Sequence, residues 1–225
     1  MSPPRPYVLL SAAVSIDGYL DDAGPDRLLL SSPEDFAEVD ELRAGVDAIL
    51  VGANTVRADN PRLLVRSAEH RRSRVARGLP ESPTKVALSG GGQLDPAAAF
   101  FTAGDTERLV YVPGAALPAA TARLGAVATV VGAGDPLSVA ALLADLAGRG
   151  VVRLLVEGGG VVHTLFLTEG LVDELRLAVA PIFVGDPAAP RLVGAGEFPW
   201  RGERRLRLDG VRSLGDTAVL RYLAS

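Results

Sequence analysis

Residues 51–63, VGANTVRADNPRL, crowd amides, a hydroxyl, two arginines and a carboxylate into the positions that follow an apolar run. Thr55 and Asp59 lie four residues apart, so a short helix puts both on one face. Asn60-Pro61 then stops that helix and lets Leu63 and Arg66 turn elsewhere. A second constellation is Glu157-Gly158-Gly159-Gly160, an apolar strand that ends in a carboxylate and a glycine turn before a short helix. Glycines at a helix start expose backbone N–H groups to a phosphate without a Cβ in the way, although the spacing fits neither G-x-G-x-x-G nor the Walker pattern. Ser15-Ile16-Asp17-Gly18 and Ser89 to Gly92 are two further polar or glycine-rich strand exits.

The same residues carry structural readings. Asp17-Gly18 is a turn dipeptide, and the glycines after Glu157 suit a tight strand-to-helix turn. Arg43 complements a helix C-terminus, Arg66 reads as a solvated loop residue, and His163 on an apolar helix reads as a packed side chain. A carboxylate at 157 is harder to place as filler, because an acid at the edge of a core is costly without a partner.

The elements that position these groups alternate. YVLLSAAV (7–14) is a continuous apolar run of the kind expected of a strand buried on both faces, and it fits a strand better than a secretory signal. Ser31-Ser32-Pro33-Glu34-Asp35 starts a helix of roughly three turns carrying Phe36, Val39 and Leu42. Strands are expected at 46–52, 84–90, 108–113, 126–132 and 151–160, with helices over LPAATARLG, after the Ser138 cap, and at 161–167. The tail alternates with period two over 174–181, 204–214 and 217–223, which predicts an antiparallel hairpin at the end of a mostly parallel sheet. Residues 66–83 are the one stretch too polar for a core and read as a solvated loop. The expected architecture is a single three-layer α/β/α domain over 1–225, with its ligand beyond the carboxyl ends of the strands.

Composition narrows the chemistry. The 225 residues contain no cysteine and only two histidines, His70 and His163, so no metal site is expected. A formal net charge of −4 gives no electrostatic case for nucleic acid, and HRRSRVAR (70–77) lacks interleaved aromatics. No apolar run reaches the ~18 residues of a membrane span. A cytoplasmic protein with a small-molecule substrate is expected.

SIDG (15–18), SSPED…LRAGVDAILVGANTVRADNPRLLVR (31–66) and LLVEGGG…FLTEGLVDEL…AP…G (154–185) resemble the pyrimidine reductase family of riboflavin biosynthesis. The resemblance covers nearly the whole chain and matches stand-alone reductases, without the zinc deaminase to which such domains are often fused. It implies a dihydrofolate-reductase-like fold and NADPH-dependent reduction of a ribosylaminopyrimidine 5′-phosphate to its ribitylamino form. Carried over by motif, Ala13, Thr55, Asp59, Ser89 and the turn and helix Gly159, Gly160, Val161, Val162, His163 and Thr164 contact NADPH. Arg43, Leu63, Arg66 and Glu157 line the substrate side, the two arginines suiting a phosphate monoester. Asp17 and Glu157 are the acids nominated for proton transfer. The family tends to dimerise, and the apolar alternation of the last strands leaves an edge to bury.

Three departures from the family pattern fall near the expected substrate pocket. Ser11 stands where a lysine or asparagine is common, Tyr19 where a lysine often follows Asp-Gly, and Arg27-Leu28-Leu29 in place of Ser-x-Trp. They leave room for dihydrofolate or another conjugated C=N substrate, and for a nucleotide-binding module that has lost catalysis.

Overall fold

The computed structural model describes residues 5–24 and 28–224; Arg27, one of the departures above, lies outside them. The chain divides into two compact units, Met1–Tyr7 with Asp40–Leu155, and Val8–Val39 with Val156–Ser225.

In the first unit the strand order is β5 (Thr129–Gly132), β4 (Arg108–Val112), β3 (Thr84–Leu88), β2 (Ala48–Gly52), then the first half of β6 (Arg153–Gly158). Neighbours from β2 to β5 pair in parallel. All five residues of β2 are buried, as expected of a parallel strand covered on both faces. β5, at the edge, stays half-exposed. Helix α5 (Leu117–Leu124) precedes β5, and helix α6 (Val139–Gly148) buries Val139, Leu142, Leu143 and Leu146, the Ser138 hydroxyl accepting the Ala141 N–H as an N-cap.

Residues 66–83 do not form the expected solvated loop. Ala68–Ala76 is a helix, α3, capped by Ser67, and Arg74 on it is only 1% exposed. Its guanidinium donates to the carbonyls of Ala44 (3.1 Å), Val46 (2.7 Å) and Pro80 (2.8 Å). Ala44 ends α1 (Pro33–Ala44), whose last carbonyls have no partner within the helix. The arginine is buried because those acceptors need donors. Lys85, the sole lysine, has the same kind of role. It is fully buried on β3 and donates to the carbonyls of Phe100 (3.1 Å) and Ala103 (2.5 Å) around the single turn α4 (Ala99–Thr102). Burial, with Arg108 nearby, lowers its pKa to about 8.

In the second unit the order runs from the end of β6 through β1 (Tyr7–Ser15) and β7 (Glu174–Ala180) to β9 (Thr217–Leu223) and β8 (Arg207–Leu214). β1 and β7 are parallel, whereas β9 pairs antiparallel with both β7 and β8. The expected hairpin is therefore present, turning at Gly215, where φ is +56°. Beneath it, Arg176 on β7 is 4% exposed and binds Asp35 (2.5 Å) and Glu38 (2.6 Å) of α1, with a long 3.5 Å contact to Ser11. Arg212 of β8 adds a bond to Glu38. Together the units give a mostly parallel α/β fold with a C-terminal antiparallel hairpin.

Replacing Arg74 by methionine keeps the buried volume but takes a donor from three carbonyls, of which Ala44 keeps a second one in Arg77 (3.1 Å). We expect a loss of about 3 kcal/mol in urea denaturation. A change under about 1 kcal/mol would mean that those carbonyls find other donors.

Candidate functional site

Within the first unit the exits of β2 and β3 lie side by side, since Gly52 pairs with Leu88. β2 runs directly into α2 (Ala53–Asp59), which ends at Asn60 in the left-handed region (φ +42°) with its N–H on the Val56 carbonyl. Asn can adopt that conformation at little cost, so Asn60-Pro61 stops the helix as its sequence requires. Most of the polar groups in this stretch are committed to scaffolding. Arg57 donates to Gln93 O (3.1 Å) and to Asn54 Oδ1 (2.5 Å), and Asn60 Oδ1 accepts the Ala99 N–H at 2.6 Å. Ser89 is 3% exposed and accepts the Gly92 N–H at 2.9 Å, which makes it a turn-former rather than an open contact. Thr55 and Asp59 are half-buried, the same level at four-residue spacing, as a shared helix face requires.

After α2 the chain passes through Leu63, 2% exposed and held at φ +49°. A leucine in that region is strained. Two residues of α1 hold the segment just beyond it. Arg43 Nη1 donates to the Leu64 carbonyl at 3.2 Å, and Asp40 accepts the N–H groups of Arg66 (2.5 Å) and Ser67 (2.8 Å). The Arg66 side chain is exposed. Asp40 is a backbone anchor that no motif marks. Its only signal is a carboxylate at a position that a helix of this phase buries.

In the second unit the exits of β1 and β7 are adjacent, with Ser15 paired to Ala180. Asp17 binds across them. Its carboxylate accepts Val184 N–H (3.1 Å) and Gly185 N–H (2.8 Å), and the Ser15 hydroxyl donates to it at 2.6 Å. That Ser15 bond, with the backbone donors, holds its pKa below the usual carboxylate value. An acid so occupied is an anchor for the 182–185 turn, not a group poised to deliver a proton. Ala13 is half-buried within β1 opposite Ala178. Glu157 is half-buried one residue before the end of β6.

The glycine turn opens helix α7 (Gly160–Thr168). Gly159, at φ +95°, is the N-cap and carries no side-chain cap, and the helix's own bonding begins with His163 N–H to Gly159 O. The first-turn N–H groups of Gly160, Val161 and Val162 are the donors such a start leaves over. Gly160 is required for a separate reason: a Cβ there would sit 2.3 Å from the Arg191 carbonyl. The segment 191–196 is strapped along this helix. His163 shares its Nδ1 proton with the Leu192 carbonyl (3.2 Å), and Thr164 Oγ1 donates to Gly160 O (2.6 Å) and accepts the Gly194 N–H (2.8 Å). Of the side chains expected on the cofactor, Val162 and His163 are therefore core residues, 3% and 0% exposed, while Val161 is 65% exposed. Burial depresses the His163 pKa to about 4, so the ring is neutral at physiological pH.

Two of the departures have structural partners. Ser11 is buried beside Arg176, and Tyr19, 3% exposed, carries the Arg191 guanidinium 4.3 Å from its ring centroid while its hydroxyl accepts from Arg191 Nη2 at 2.6 Å. A lysine after Asp-Gly is thus replaced by a tyrosine that holds an arginine beside the start of α7. Both side chains therefore have partners within the fold. Among the described residues no helix is long and apolar enough to cross a membrane.

A family model described as RibD C-terminal domain matches residues 6–220. A 2,5-diamino-6-ribosylamino-4(3H)-pyrimidinone 5′-phosphate reductase of Archaeoglobus fulgidus is 35% identical over 213 residues, 94% of this chain and 95% of that protein. The reductase of the same name from Methanothermobacter thermautotrophicus is 36% identical over 220 residues, 97% and 98% of the two chains. Among solved structures, RibD of Acinetobacter baumannii superposes with a TM-score of 0.77 at 25% identity, covering 98% of this chain and 58% of that one. A pyrimidine reductase-like protein of Corynebacterium diphtheriae shares the fold, with a TM-score of 0.81 at 23% identity over 98% and 92% of the chains.

Asp17→Asn should keep kcat within about tenfold of wild type, because an anchor is weakened but no proton donor is lost. A fall of about 10²-fold or more would identify Asp17 as an acid catalyst. For His163 the unfolded chain binds the extra proton between its ordinary value of 6.5 and the folded value of about 4, so stability is lost as pH falls through that window. The single-group effect is about 3 kcal/mol. Urea midpoints should therefore fall more steeply with acid for wild type than for His163→Leu, and parallel curves would refute the buried neutral ring.

Proposed function

The chain belongs to the RibD C-terminal domain family, and from that premise we propose that it reduces 2,5-diamino-6-ribosylamino-4(3H)-pyrimidinone 5′-phosphate to its ribitylamino form in riboflavin biosynthesis. The observation that carries this reading is end-to-end identity of 35–36% to two reductases of that name and of nearly the same length. Bifunctional RibD proteins match at lower identity over half their length, for example 31% over 50% of the Bacillus amyloliquefaciens protein. On this reading reduction precedes deamination, and the chain works as a single cytoplasmic reductase domain over 1–225.

NADPH is proposed as the reductant. The uncapped first turn of α7 supports that assignment, because three adjacent backbone donors at the positive end of a helix suit a phosphate. When bound, the cofactor supplies hydride for C1′ of the ribosyl group; the chain supplies binding and orientation. We assign Thr55, Asp59, Ala13 and the backbone of Gly159 to Val161 to the cofactor. Val162, His163, Thr164 and Ser89 hold those groups in place through the core and turn bonds described above. Arg43, Leu63, Arg66 and Glu157 are assigned to the substrate, the arginines to its phosphate and Glu157 to the sugar or the proton step. A homodimer is proposed through β8, an edge strand whose Leu208 and Val211 are 51% and 61% exposed. Light scattering should give twice the chain mass, and Leu208→Lys with Val211→Lys should return it to the monomer value.

Thr55→Val combined with Asp59→Ala should weaken NADPH binding by about tenfold or more in fluorescence titration without lowering the melting temperature. Unchanged affinity would remove these two residues from the cofactor. The substrate assignment is checked by NADPH oxidation with the diamino pyrimidinone and with its deaminated uracil counterpart. The diamino compound should have the higher kcat/KM, and the reverse order would place the enzyme after deamination.

A further inference from the structure

Arg66, proposed above for the substrate phosphate, is an exposed residue, so the aim of its long side chain depends on how firmly its backbone is held. Residues 64–67 lie outside every strand and helix, yet side chains of the first unit satisfy them group by group. Val65 N–H donates to the Ser82 hydroxyl at 3.0 Å, and the N–H groups of Arg66 and Ser67 go to Asp40. On the carbonyl side Arg43 donates to Leu64, and Arg71 of α3 takes the next two. Its Nη1 donates to Val65 O at 3.2 Å and to Arg66 O at 2.6 Å, while its own backbone N–H bonds the Ser67 carbonyl at 3.0 Å. Both backbone groups of Arg66 are therefore bonded to charged side chains, Asp40 on one side and Arg71 on the other.

Arg71 belongs to the basic run 70–77, in which Arg71, Arg74 and Arg77 recur every three residues and so fall along one side of α3 and its C-cap. Arg74 and Arg77 both donate to the Ala44 carbonyl at the end of α1, a scaffold task. Arg71 reaches instead the segment that carries Arg66. Its carboxylate neighbour, Glu81, stands 3.6 Å away with its side chain 69% exposed, a pairing too weak to draw the guanidinium off the carbonyls. An arginine projecting from a loose peptide gives up part of its binding to the ordering of that peptide. A root fixed at both N–H and C=O has that cost removed before the ligand arrives.

We propose that Arg71 is a positioning residue for the contact between Arg66 and the substrate phosphate. It touches no ligand itself and acts by fixing the peptide from which Arg66 projects. The inference rests on the assignment of Arg66 to that phosphate. Because one nitrogen, Nη1, makes both carbonyl bonds, an ammonium group at this position preserves the hold, whereas a shorter neutral amide does not.

Calorimetric titration with the diamino pyrimidinone 5′-phosphate and with its dephosphorylated riboside tests this, the ratio of the two Kd values measuring discrimination for the phosphate. Arg71→Gln should weaken the phosphate ester by about tenfold and leave the riboside and NADPH within about twofold of wild type. With saturating ester, kcat of the same variant should stay within about twofold, so that the loss appears in KM. Arg71→Lys should keep discrimination within about threefold of wild type. A residue that served stability alone would weaken ester and riboside together. That result, discrimination unchanged in Arg71→Gln, or an equal loss in Arg71→Lys would each overturn the proposal. The Arg66 assignment has its own control in Arg66→Ala. Discrimination lost there but kept in Arg71→Gln sinks the positioning role alone. Discrimination kept in Arg66→Ala means that the phosphate is bound elsewhere, and the role of Arg71 falls with that of Arg66.

Discussion

Backbone groups at the ends of strands and helices need partners where the chain turns away from water, and here charged side chains supply them. Asp40 takes the N–H groups of Arg66 and Ser67, Asp17 those of Val184 and Gly185, and Asp47 those of Val152 and Arg153. Asp173 takes that of Val8. Arg74 and Lys85 do the converse, donating to carbonyls around α1 and α4. Burying an ionised group is costly in isolation, but a charged group that makes two or three bonds to backbone offsets much of that cost and fixes the loop as well. The segments on which the proposed ligand contacts sit are anchored in this way, not by apolar packing alone.

The second unit applies the same logic to its helices. Arg176 joins β7 to α1 through Asp35 and Glu38, so the start of α1 is tied to the sheet by charge in a nearly dry environment. Helix α7 is held by the 191–196 strap, whose closeness makes glycine obligatory at 160, while burial keeps the His163 ring neutral. Arg191 belongs to that strap and pairs with Tyr19, which is why the departure from the family pattern at 19 has a partner in space. Sequence comparison at a single position reads the tyrosine as a loss. Geometry reads it as one half of an interaction.

Strand and helix order was legible from apolar runs and caps, because buried parallel strands and Ser-capped helices leave strong local signals. Ser138 before VAALLADLAG and the Gly215 turn between two alternating stretches came out as expected. The features that were not legible had long-range causes. Residues 66–83 read as a loop because their arginines and a histidine suggest solvent, and the carbonyls of Ala44, Val46 and Pro80 explain why Arg74 goes inside. Likewise nothing local separates Thr55 and Asp59 from Arg57 and Asn60. Arg57 and Asn60 are tied to Gln93, Asn54 and Ala99, partners that are distant or simply polar in sequence.

That division of labour sharpens the assignment of the 53–66 stretch. Asn54, Arg57 and Asn60 stabilise the exit of β2 through bonds to one another, to Gln93 and to the Ala99 N–H. Leu63 then sets the direction in which the chain runs on to Arg66. Its left-handed backbone costs about 1–2 kcal/mol, and it is retained with the side chain 2% exposed while Arg43 and Asp40 grip the residues just after it. A glycine would relieve that strain but give up the buried side chain. The strain at Leu63 is retained where the chain turns from α2 toward the residues that Arg43 and Asp40 hold, a change of direction that a relaxed extended backbone would not give.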